Sequence, residues 1–200
     1  MYKLPLFTDI DSNKILGDIT GIIERNQQQI QQLLTIEHKT WNNFILELHE
    51  IDESLSNYWG KVNHLNSVVN TTQLRDAHNS CLPLLTDYHN QLMQNHDLYA
   101  AYKDIAGHEN LNNEQREYLR QAIRDFELSG IALSSTDKAK YTQITKQLSE
   151  LSSTYSNNVL DATAAWSKHI TRKAQLAGLP QSSLDHLSQL ASAQDKDGYL

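Results

Sequence analysis

Apolar residues recur along this chain at steps of three and four, and no alternating run of useful length interrupts them. That period predicts helices, not strands. From about Ser12, Ile15, Ile19, Ile22, Ile23, Ile30, Leu33 and Leu34 fall near helical spacing, with "NQQQIQQ" as a polar patch inside the same helix. A second face follows in Trp41, Phe44, Ile45, Leu48, Ile51, Leu55 and Trp59, and Thr40 is placed to cap it. Gly60 is read as a break before "KVNHLNSVVN". Thr71 or Thr72 opens the next stretch, which runs towards Gly107; Pro83 inside it is expected to end or kink one helix and begin another. "NLNNEQREYLRQAIRDFELSG" reads as a further helix, with Asn112 or Asn113 as cap and Gly130 in the C′ position.

Ser134 with Asp137 makes a capping-box-like start for the longest helix, expected near 135–170. There Ile144, Leu148, Leu151, Tyr155, Val159, Ala162, Trp166 and Ile170 each advance by three or four, which predicts one continuous buried stripe. "LAGLP" at 176–180 ends the region, and "SSLDHLSQLASAQ" supplies a last short amphipathic helix. Residues 1–11, with Pro5 and "TDID", read as a short extended arm before a helical region at 12–200. The fold class is all-α, an elongated bundle of roughly six to eight helices.

Composition narrows the function classes. Seven Gly and three Pro in 200 residues leave little for the tight turns of an all-β fold, and 39% hydrophobic content is enough for a real core. A net charge of −7 without any Lys/Arg stripe argues against nucleic acid as a partner. No apolar run approaches the roughly 18 residues of a membrane helix, so no membrane partner is expected. "MYKLPLFTDI" has no apolar core followed by a small-residue cleavage site, and Cys81 as the one cysteine fits a reducing compartment. The expected location is cytoplasmic.

The residues that carry chemistry do not assemble into a catalytic set. "HEIDE" at 49–53 is a near match to H-E-x-x-H, in which two histidines one turn apart bind zinc and the glutamate acts as base. Glu53 stands where the second His belongs, and no third ligand is evident. Because Leu48, Ile51 and Leu55 define the buried side, His49, Glu50 and Glu53 read as a solvated flank. The nine histidines (38, 49, 64, 78, 89, 96, 108, 169, 186) include no i, i+4 pair, although His89 and His96 lie two turns apart. Cys81 three residues after His78 could be a nucleophile beside a base; next to Leu82 and Leu84 it reads better as core. Trp41, Trp59, Trp166 and Tyr155 read as packing groups with polar tips at the rim, not as ligand-stacking rings. Asn157, Asn158 and Asp161 are poor interior helix formers, so hydrogen bonding to neighbouring helices is expected of them, with ligand contact as the rival. A di-metal carboxylate bundle is excluded for want of paired Glu-x-x-His motifs.

The order of blocks is more informative than any one of them. "HLNSV", "LPLL" with Tyr88, "LYAAYKD", "RDFELSGIAL", "LSEL", "YSNNVLDAT" with Trp166, and "LAGLP" follow one another through nearly the whole chain. The series resembles the amino-terminal part of bacterial members of the thimet oligopeptidase family of zinc metallopeptidases. "DFELSGI" and "YSNNVLDAT" are the most specific pieces; the 27–32 stretch and the arm are the least family-like.

The resemblance implies a mostly helical enzyme with a deep channel between two halves. Its zinc site, H-E-x-x-H with a downstream Glu, is expected in a carboxy-terminal half, and short unstructured peptides are the expected substrates. No segment here matches that motif, so catalytic residues and metal ligands are both expected to be none in this chain, and substrate-binding residues are left open. No cofactor is expected here, and zinc is expected in the missing catalytic domain, which is itself the expected partner. An expressed piece of a longer peptidase is favoured over a truncated gene product. The alternative is a stand-alone helical module that binds a peptide or a protein.

Overall fold

The computed structural model describes residues 6–108 and 110–200. Among these residues the chain forms helices α1 (Ile15–Leu34), α2 (Leu46–Val68), α3 (Thr72–Met93), α4 (His96–His108), α5 (Asn113–Leu128), α6 (Ser135–Ala165) and α7 (Gln181–Ser192). The all-α reading is therefore correct. Positions 1–5 of the expected arm lie outside the described residues; after them Phe7–Asp9 make a single 3-10 turn.

Local chemistry sets several helix ends. Thr40 Oγ1 accepts from the Asn43 N–H at 3.2 Å, while Asn43 Oδ1 accepts from the Thr40 N–H at 2.8 Å. This reciprocal box opens a π-turn, Trp41–Ile45, that feeds α2. Asn112 and Gln115 repeat the device at the start of α5, and Thr71 caps α3 through the Leu74 N–H. Each such cap contributes about 1 kcal/mol. At the other end of α5, Gly130 has φ 82°. Its N–H bonds Glu127 O and the Ile131 N–H bonds Phe126 O, the Schellman pattern. Ile131 and Phe126 both enter the core there.

Two expected breaks do not occur. Gly60 lies within α2, where Trp59 and Val62 pack on either side of it. Pro83 lies within α3. Its ring is on the exposed side, and buried Cys81 and Tyr88 hold the helix through the lost backbone bond. The helix break falls instead at Asn95, whose Oδ1 accepts from the Asp97 and Leu98 N–H groups.

The chain divides into two compact units, one ending at Ser153 and the other spanning Thr154–Leu200. In the first, Ile15, Ile19 and Ile22 of α1 pack with Val62 of α2 and with Leu74 and Cys81 of α3. A second cluster joins Phe44 and Ile45 to Leu98 and Ile105 of α4 and to Leu119 and Phe126 of α5. Asn26, only 2% exposed, ties α1 to α2 by donating to Ile51 O at 3.0 Å and accepting from Ser54 Oγ at 3.2 Å. In the second unit, Leu184 and Ala191 of α7 are buried, and Ile170 and Tyr199 exchange two backbone bonds of 2.9 Å. Gly198, at φ 95°, permits that pairing, since a Cβ there would meet Ile170 O at 2.5 Å.

The expected buried stripe is overturned. α6 ends at Ala165, and Ile144, Leu148, Leu151, Tyr155 and Trp166 are each 61–73% exposed. The side that α6 turns to α3 is polar. Thr145 Oγ1 accepts from Asn90 Nδ2 at 2.8 Å, Lys146 Nζ meets Asp87 at 2.7 Å, and Ser153 Oγ donates to Asn79 Oδ1 at 3.0 Å. Asn90 is buried and must be hydrogen-bonded, which sets the rotation of α6 and leaves its apolar side outward.

Candidate functional site

α6 offers the most unusual surface. Folded chains rarely expose several large apolar side chains in register on one helix face, and where they do the face meets something else. Ile144, Leu148 and Leu151 form such a row within the first unit. Tyr155 and Trp166, read from the sequence as packing groups, are exposed in the second. Asn157 is half-buried, while Asn158 and Asp161 are exposed, so none of the three is a buried interior polar group.

The residues singled out for chemistry are scattered. His49, Glu50 and Glu53 are exposed on α2, with Ile51 and Leu55 buried behind them. The His49 ring lies 5.1 Å from that of Tyr118. His89 and His96 fall on different helices, α3 and α4, separated by the break at Asn95. Cys81 is fully buried, and burial pushes its thiol up to about 11, the opposite of what a nucleophile requires. His78 stacks on Trp59 at 4.7 Å, and its ring nitrogens lie 3.1 Å from Asn63 Oδ1 and 3.3 Å from Asn79 Oδ1. Burial holds its pKa below the usual imidazole range. Among the described residues, no group of three or more His, Cys, Asp or Glu side chains could hold a metal ion.

Sequence patterning missed a cavity of about 320 Å³ among α1–α5. Leu92 and Leu98 give it an apolar floor, and Tyr102, Tyr118 and Phe126 its aromatic walls. Asp52 of α2 and Asp125 of α5 line the same space, as do His49 and His89. Burial first, and the Asp52 charge among lesser causes, push the hydroxyls of Tyr88, Tyr102 and Tyr118 upward. No local signal reveals this cavity, because five separate helices supply its lining.

Comparison with known proteins places the molecule. The sequence model of the family described as "Neurolysin/Thimet oligopeptidase, N-terminal domain" matches residues 19–138. Oligopeptidase A of Haemophilus influenzae is 43% identical over 199 residues, a match covering 98% of this chain and 29% of that protein. Oligopeptidase A of Escherichia coli is 37% identical across 100% of this chain and 30% of its own length. The Arabidopsis thaliana protein named probable cytosolic oligopeptidase A is 32% identical over 95% of this chain and 28% of its own. The chain thus spans less than a third of the length of these relatives. No described helix is long and apolar enough to cross a membrane.

Proposed function

This chain belongs to the amino-terminal domain family of neurolysin and thimet oligopeptidase, and from that premise we propose that it is the non-catalytic helical part of a zinc metallo-oligopeptidase. In this reading residues 12–200 form one wall of a channel that admits short peptides and excludes folded proteins. The catalytic half supplies zinc and the base, and that half is the principal partner of this chain. The whole enzyme works in the cytoplasm.

The observation that carries the reading is the outward apolar row of α6. Ile144, Leu148 and Leu151 show the spacing of a core stripe but lie at the surface of this chain. Such a row is suited to burial against a further part of a larger molecule. In this reading the chemistry belongs to that further part, and kinship with the oligopeptidases A supports it.

The test uses the purified chain. It is expected to carry no stoichiometric zinc and to leave a quenched short peptide uncleaved. Stoichiometric zinc together with chelator-sensitive turnover would overturn the proposal.

A further inference from the structure

The cavity among α1–α5 has a chemistry of its own. Its volume of about 320 Å³ is at the small end of ligand pockets and suits a compact group, not a folded partner. Two carboxylates, Asp52 and Asp125, come to it from different helices, α2 and α5. Among the described residues lining it there is no lysine or arginine. The lining also carries aromatic rings: Tyr102 and Phe126 pack edge to face with centroids 5.4 Å apart, and Tyr118 lines the same space.

Carboxylates beside aromatic faces favour a positive charge twice over, through ion pairing and through the ring quadrupoles. An anion would meet both carboxylates with no lysine or arginine in the lining to offset them. A purely apolar group would fill the floor but leave the acidic rim unused. We propose that this cavity binds an organic cation, an amine, amidine or guanidinium carried on an apolar or aromatic stem, with Asp52 and Asp125 as its counter-ions and Tyr102, Tyr118 and Phe126 as its walls. The stem lies against Leu92 and Leu98, and the charged head stays at the acidic mouth. The upward push that Asp52 exerts on the neighbouring tyrosine hydroxyls is the same field acting on groups that would become negative.

The inference does not rest on the peptidase reading, because it concerns only this chain's own residues. A free amine and the basic side chain of a peptide share this chemistry, and the test separates them. Benzamidine and its neutral analogue benzyl alcohol are titrated into the isotopically labelled 200-residue chain and followed by amide and aromatic NMR shifts. Saturable shifts at Tyr102, Tyr118 and Phe126 are expected, with benzamidine binding more tightly than benzyl alcohol. Asp52→Asn, at an exposed position where the fold should be unaffected, is expected to weaken benzamidine by roughly threefold or more and to leave benzyl alcohol unchanged. In further arms, a blocked tripeptide with a central arginine binding more tightly than benzamidine assigns the site to a peptide side chain; the reverse order assigns it to a free amine. Equal affinity for the charged and neutral probes, shifts that map away from the cavity, or an unchanged benzamidine affinity in Asp52→Asn would each overturn the proposal.

Discussion

Cys81 illustrates how burial alone decides what a residue can do. Its thiol is pushed from 9.0 to about 11 by desolvation, so the folded chain holds its proton more tightly than the unfolded chain does. That contribution to stability is complete below pH 9 and is lost as pH rises towards 11. Between pH 8 and 10.5 the parent chain should therefore lose about 2 kcal/mol more stability than Cys81→Ala does. Urea denaturation of both proteins at each pH measures the difference, and identical losses would contradict the burial account. Gly130 makes a second case, since its φ of 82° disfavours any side chain. Gly130→Ala should cost about 1–2 kcal/mol by the same assay. At this scale the sequence was most legible where the chemistry is local. Thr40, Thr71, Asn112, Gly130 and Ser134 act as their positions predict, through partners within a few residues. Gly60 and Pro83 misled because distant packing, invisible in a local window, holds α2 and α3 through them.

The helix α6 shows what periodicity reveals and what it leaves out. The three-and-four spacing located the helix and its apolar row as far as Ala162, but carried both past the end at Ala165 to Trp166 and Ile170. It could not say what the row faces, because that depends on the polar partners Asn90, Asp87 and Asn79 waiting on α3. An outward row makes two predictions. Leu148→Asp should change the stability of the purified chain by no more than about 0.5 kcal/mol, against about 2–5 kcal/mol for Ile19→Ala in the core. Comparable losses in the two variants would mean that the row is already packed within this chain. The purified chain should also self-associate as its concentration rises, and Leu148→Asp should reduce that tendency. Sedimentation velocity checks this, and a monomer across the whole range for the parent chain would argue against a sticky row.

For the molecule as a whole, the all-α class was legible from step lengths and from the scarcity of Gly and Pro. His49, Glu50 and Glu53 lie on the exposed flank of α2 that the spacing predicts, because Ile51 and Leu55 are turned inward. The division at Ser153 left no mark in composition, and the cavity left none in any single segment. The central claim is that α6 presents a surface made to be covered by the rest of a peptidase. Its most direct test places this chain in the corresponding amino-terminal part of the Haemophilus influenzae oligopeptidase A, with and without Leu148→Asp and Leu151→Asp together. Hydrolysis of a quenched short peptide by the two zinc-loaded chimeras is then measured. The account predicts turnover in the first chimera and its collapse in the second, while the doubly substituted chain on its own keeps its helical spectrum. Equal turnover in both chimeras would contradict it.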